Sequence, residues 1–139
     1  MFKKILLPVD LSDRHQKALD AATDLARQST GEVILLHVIE VIAGLSMEEE
    51  KNFYKRLEKS ARDHLARLSE HLKGQRIACR MEILYGHRGP EVIRYAAEKT
   101  TDLIVLTSPR IDLNNPGVGW GSLSYKIGML SPCPVLLVK

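Results

Sequence analysis

Glu32-Val33-Ile34-Leu35-Leu36-His37-Val38-Ile39 decides the fold of this chain: aliphatic and β-branched side chains run through it, the composition of a β-strand. Two other apolar runs, residues 3–9 (Lys-Lys-Ile-Leu-Leu-Pro-Val) and 102–106 (Asp-Leu-Ile-Val-Leu), read as strands buried on both faces. Pro8 donates no ladder hydrogen bond, so the last residues of the first strand are expected to lie free of a neighbour. Over 76–84, Ile77, Cys79, Met81 and Ile83 alternate with polar residues, the pattern of a sheet edge with one wetter face. Val135 to Val138 forms the final strand.

Helical patterns fill every gap between these strands. Ser12 or Asp13 is the expected N-cap of a first helix whose Ala18, Ala22, Leu25 and Ala26 recur at helical spacing, with Gly31 as its C-cap. A long amphipathic helix is expected from near Ser46. It has Glu48, Glu49 and Glu50 in its first turn and an apolar stripe of Phe53, Leu57, Ala61, Leu65, Leu68 and Leu72, and Gly74 closes it. Gly89-Pro90 opens a third helix that buries Val92, Ile93, Ala96 and Ala97. A turn-rich loop over 107–119 leads to a short helix over 121–130 with Leu123, Ile127 and Leu130 inward. The order β-α-β-α-β-α-β-α-β excludes hairpins by connection length. The strands therefore run parallel with right-handed crossovers, in a single five-stranded doubly wound α/β sheet with helices on both faces. One domain over 1–139 is expected.

Composition narrows the function. The 139 residues are 45% hydrophobic and 27% charged, which excludes a disordered chain and a disulfide-dense scaffold. The net charge of +3 comes from dispersed basic residues and aromatics are only 5%, so no nucleic-acid surface is expected. The richest apolar run, 33–45, contains His37 and Glu40 and does not span a bilayer. The first ten residues hold too short an apolar run for a secretory signal, and a cytoplasmic location follows as the expectation. Cys79 and Cys133 belong to no metal or redox pattern and read as reduced, buried thiols.

In doubly wound sheets, ligands collect beyond the carboxyl ends of the strands where the strand order reverses, which brings together Asp10, the residues around Val38 and the loop after Leu106. Asp10 either accepts hydrogen bonds from a ribose or takes a water of a magnesium shell, or it braces the strand-to-helix turn through nearby N–H groups. Gly119-Trp120-Gly121-Ser122 offers glycines before a helix N-terminus, a favourable setting for an anion; Ser122 caps the helix, donates its hydroxyl to phosphate, or does both. The Gly117-x-Gly119 stretch is neither a Walker A loop nor a dinucleotide fingerprint.

Ile5-Leu6-Leu7-Pro8-Val9-Asp10, Leu36-His37-Val38-Ile39, Asp102-Leu103-Ile104-Val105-Leu106, and Gly121-Ser122 through Pro132-Cys133-Pro134-Val135-Leu136-Leu137-Val138 resemble the universal stress protein family, over essentially the whole chain. The resemblance implies strand order 3-2-1-4-5, an adenine-nucleotide alpha-hydrolase-like fold, and a homodimer formed through Val135–Val138. It also implies binding of ATP or another adenine nucleotide, with magnesium, in the crevice between strands one and four. Asp10, with Pro8 and Val9 beside it in the nucleotide site, would then hold ribose or metal, and Val38 would border the adenine. Gly121-Ser122 would hold phosphate with help from Arg110, and Thr107, Ser108 and Gly119 would complete the nucleotide site. Of the family's glycine pattern, Gly-x2-Gly-x9-Gly-Ser/Thr, only Gly121-Ser122 is present. Counting back puts Ser108 and Ile111 at the first two glycine positions, and counting forward puts Thr107 and Arg110 there, so side chains crowd a triphosphate in either register. Arg110 is a phosphate partner or a solvated loop charge.

No catalytic motif stands out. Histidines 15, 37, 64, 71 and 87 are scattered over different elements without metal spacing. His37 reads as a satisfied core histidine, His64 and His71 as helix surface or dimer edge, and His87-Arg88 as a turn within reach of a phosphate. Ser108 lacks a nucleophile elbow, which leaves at most weak nucleotide hydrolysis. The competing reading is a dimeric interaction module that binds no nucleotide.

Overall fold

The structure, a computed structural model, describes residues 1–110, 112–115 and 122–139. Strands β1 (Lys4–Pro8), β2 (Glu32–Glu40), β3 (Ala78–Gly86), β4 (Leu103–Thr107) and β5 (Val135–Val138) alternate with helices α1 (Gln16–Ser29), α2 (Lys51–Gly74), α3 (Arg88–Glu98) and α4 (Leu123–Leu130). All pairings are parallel and the order is β3-β2-β1-β4-β5.

Successive strand residues face opposite sides, so the apolar runs build two cores at once. Ile5, Leu7, Val33, Leu35, Leu103 and Val105 pack under α1 and α2, against Leu19, Ala22, Leu65 and Leu72. Leu6, Ile34, Leu36, Ile104 and Leu106 pack on the other side against Val92, Tyr95 and Ala96 of α3 and Ile127 of α4. Nearly all these strand side chains are fully buried, each stabilising the fold by about 1.5–3 kcal/mol.

The seam between β1 and β4 is unequal along its length. At its start the Asp102 carboxylate accepts the Lys3 and Lys4 N–H groups (3.0 and 2.8 Å), while the Asp102 N–H donates to the Lys4 carbonyl. The ladder then covers only Ile5–Leu6 against Leu103–Ile104. On its other side β1 stays paired to β2 as far as Pro8 opposite Leu36, and the Val9 N–H continues to the Leu36 carbonyl. The expected free end of the first strand is therefore free on the β4 side alone.

Several local expectations are corrected. Neither Ser12 nor Asp13 caps α1. His15 holds the N-cap position without a side-chain cap, because the Ser12 N–H and hydroxyl are both committed to the Asp10 carboxylate. The left-handed residue ending α1 is Thr30 (φ 52°), not Gly31. Gly31 is required for space, since a Cβ there would lie 2.6 Å from the Phe2 carbonyl oxygen and 2.8 Å from that of Lys3. Helix α2 begins at Lys51. Ser46 accepts the Glu49 N–H in a separate preceding turn, so the three glutamates lie outside the helix's first turn. The buried stripe of α2 starts at Tyr54 rather than Phe53, because the Tyr54 hydroxyl donates to the Leu45 carbonyl and accepts the Ile42 N–H. On edge strand β3, Met81 is 46% exposed. Pro90 is the third residue of α3, still within the turn whose N–H groups lack intrahelical partners, and Tyr95 is buried in place of Ala97. In α4 only Ser124 and Ile127 are buried; Leu123 and Leu130 are exposed.

Gly31→Ala and Gly74→Ala should separate cleanly in urea unfolding. The first forces a methyl onto backbone oxygens and should cost about 1–3 kcal/mol. The second meets open space at the end of α2 and should leave stability unchanged or raise it by up to about 1 kcal/mol.

Candidate functional site

Where β1 and β4 part, the strand tips open a cleft of about 190 Å³, the switch point at which doubly wound sheets bind ligands. Pro8, Val9, Asp10, Val38, Thr107 and Ser122, all singled out from the sequence, line it. Ser108 does not. Its N–H donates to the Val138 carbonyl and its hydroxyl receives the Lys139 ammonium at 3.2 Å, so it faces β5 and cannot crowd a ligand. Arg110 is exposed and off the cleft wall, while Ile111, Gly119, Trp120 and Gly121 lie outside the described residues.

The residue that organises the cleft floor was not singled out from the sequence. His15, 5% exposed, bridges the parted strands. Its Nε2 is 2.7 Å from Asp10 Oδ1 and its Nδ1 is 2.7 Å from Thr107 Oγ1. The ionised Asp10 carboxylate only accepts, so Nε2 directs a proton to it, while Nδ1 and the Thr107 hydroxyl share a second hydrogen bond. Asp10 Oδ1 also accepts the Ser12 N–H (2.9 Å) and hydroxyl, and Oδ2 accepts Arg14 Nη2 at 2.9 Å. Partial burial pushes the Asp10 carboxyl up, but the hydrogen bonds from Ser12 and His15 outweigh it and hold the group far below the usual carboxylate range.

The surroundings favour negative charge. The starts of α1 (Arg14, His15), α3 (Arg88) and α4 (Ser122, Leu123, Ser124) all reach the cleft, and each helix N-terminus carries partial positive charge. Two guanidinium groups stand at the wall, while Asp10 is the only carboxylate among the described lining residues. Ser122 does cap α4: its oxygen accepts the Tyr125 N–H at 3.2 Å, which leaves the hydroxyl proton free to donate to a ligand. Ser124 donates to the Thr107 carbonyl and ties α4 to the β4 tip. Chemically, the arrangement can hold an anion.

Magnesium fits this donor set poorly. Four donors already converge on Asp10, which offers about four acceptor positions, and one of the donors is a cation. Among the described residues no cluster of three His, Cys, Asp or Glu could hold a metal ion. His37 is the satisfied core histidine expected: Nδ1 donates to the Val9 carbonyl at 2.9 Å, and burial pushes its pKa down. His64 is half-buried rather than on the helix surface, with Nε2 unpartnered. Cys79 and Cys133 are free but only half-buried, and burial raises the Cys79 thiol.

Fold and cleft together define a doubly wound α/β protein with an open cleft at its switch point. The chain matches the universal stress protein family over residues 1–139, and it belongs to that family. It is 31% identical to universal stress protein YxiE of Bacillus subtilis across the full length of both chains. The structure of MJ0577, a universal stress protein of Methanocaldococcus jannaschii, superposes with TM-score 0.85 at 29% identity, covering 100% of this chain and 96% of that one. A family member from Arabidopsis thaliana solved with AMP bound shares the fold at TM-score 0.74 and 17% identity, over 99% of this chain and 91% of that one.

The native Asp10 carboxyl titrates below its unfolded value, so as pH falls the unfolded chain takes up the proton first. The stabilisation is complete at neutral pH and drains away below about pH 4. Asp10→Asn should therefore cost about 1–3 kcal/mol in urea unfolding at neutral pH, and the gap to the parent chain should shrink as pH falls below about 4. A gap independent of pH would mean that the charge contributes nothing.

Proposed function

We propose that this universal stress protein binds an adenine nucleotide in the cleft between β1 and β4. One observation carries the reading: three helix N-termini and two arginines face a cleft whose single carboxylate is already neutralised, an environment suited to a phosphate. Val38, 5% exposed at the tip of β2, offers an apolar wall for a base, and Ser122 offers a hydroxyl donor at the phosphate end. The AMP-bound relative from Arabidopsis thaliana supports the choice of adenine nucleotide. A module with a functionless crevice gives no account of this concentration of positive charge. Two free cysteines suit a reducing compartment, and no described helix is long and apolar enough to cross a membrane; the cytoplasm is the proposed location.

The proposal includes a homodimer. Val135–Val138 ends the sheet, its outer edge unpaired among the described residues, and Leu136 and Leu137 are 38% and 37% exposed. A short apolar edge strand of this kind invites pairing with a second copy.

Titration calorimetry with AMP should show saturable binding at one site per chain. Arg88→Gln, in a half-exposed side chain paired weakly to Glu40 at 3.5 Å, should keep the fold and weaken binding by roughly tenfold. Folded protein that shows no saturable AMP binding at millimolar concentrations would overturn the assignment. In analytical ultracentrifugation the parent chain should sediment as a dimer and Leu136→Lys as a monomer; a monomeric parent would remove the dimer.

A further inference from the structure

We propose that Arg14, and not a divalent cation, is the counter-charge of the cleft carboxylate, so that adenine nucleotide binds this protein without any gain from magnesium. The inference rests on the nucleotide reading for its second half only; its first half concerns the chain itself.

The argument begins with the four donors on Asp10. Oδ1 receives the Ser12 N–H, the Ser12 hydroxyl and His15 Nε2, and those bonds hold the turn between β1 and α1. A magnesium ion cannot use Oδ1 without dismantling that turn and freeing His15 from its place between the strands. Oδ2 is the remaining oxygen, and Arg14 donates to it at 2.9 Å. Magnesium is a small, strongly hydrated cation that takes one or two carboxylates in octahedral geometry together with waters and substrate phosphates. Here the second carboxylate is missing among the described lining residues, and the first is paired to a guanidinium.

Placing both cations at Oδ2 sets two positive charges against one negative charge, and the guanidinium is permanently charged. Arg14 presents five N–H donors, of which Asp10 occupies one, so the same side chain can fork onto a phosphate oxygen while it remains on the carboxylate. That gives the cleft a built-in cation at the position a metal would take. Arg14 is also half-exposed, so it can swing from Asp10 toward a ligand with little loss of packing. The triphosphate that most needs a metal is also the form for which the glycine pattern is incomplete in this chain.

Two measurements test the proposal separately. In the first, Mn2+ alone is titrated into the folded protein and its paramagnetic broadening is read at the backbone resonances of Asp10, Ser12 and His15, with no nucleotide present. The parent chain should show no broadening at these residues, and Arg14→Gln, in which the carboxylate loses its guanidinium, should show it. Broadening in the parent, or its absence in Arg14→Gln, would overturn the proposal whether or not nucleotide binds. In the second, AMP and ATP are titrated into the parent in magnesium and in a chelator. Affinities equal within about twofold are expected, and a gain of about tenfold or more in magnesium would overturn the proposal. Failure of both nucleotides to bind in either buffer would instead sink the nucleotide reading, and with it the second half of this inference, while the Mn2+ result stands.

Discussion

β1 is hydrogen-bonded to β2 along its whole length and to β4 along only two residues, and the cleft depends on that asymmetry. At the start of the seam Asp102 clamps both backbone N–H groups of Lys3 and Lys4, so the strands begin together. Beyond Leu6 they diverge, and no backbone ladder closes the gap. A side chain closes it instead. His15 reaches Asp10 on one side and Thr107 on the other, fixing the width of an opening that the sheet leaves undefined. The cleft is thus a split in a sheet, bolted at one end by a carboxylate and spanned at the other by an imidazole.

The charge of the cleft follows from the same topology. In a parallel sheet every strand leads through a short connection into a helix, so carboxyl ends of strands and amino ends of helices gather on one rim. At the switch point the crossovers diverge to opposite faces, α1 to one and α3 and α4 to the other, and three helix N-termini meet over a single opening. Arg14 and Arg88 reinforce a field that the backbone already creates. Asp10 contributes less negative charge than its position suggests, because Arg14 offsets it.

Strands buried on both faces were legible as apolar runs because nothing on either side asks them for polarity. Their parallel order followed from connection length. The resemblance supplied the strand sequence 3-2-1-4-5, which periodicity does not encode. Errors fell where one hydrogen bond outranks propensity. Ser12 is a good capping residue, but Asp10 captures it two positions earlier. Phe53 is more apolar than Tyr54, yet the Tyr54 hydroxyl finds the Leu45 carbonyl and takes the buried side. Met81 alternates correctly but lies on the edge strand, where it is exposed. His15 carried no readable signal, since a lone histidine in a loop fits no period and its partner Thr107 lies 92 residues away. Asp10, Val38 and Ser122 were legible as cleft residues because strand ends and helix starts gather at the switch point of this fold.

The sequence posed Asp10 as either a brace or a ligand contact, and its two oxygens divide those tasks. Oδ1 sits among three donors, one of them nine-tenths buried, so removing any of them would leave a polar group unsatisfied in the cleft floor. Oδ2 faces a guanidinium that is more than half exposed, a pairing worth little on its own and exchangeable for another at small cost. A ligand that competes for Oδ2 therefore leaves the β1–α1 turn intact, whereas one that needs Oδ1 must break the link between the strand tips. The backbone position of Asp10 is fixed for the sake of the fold, and only its outer face is left to recognition.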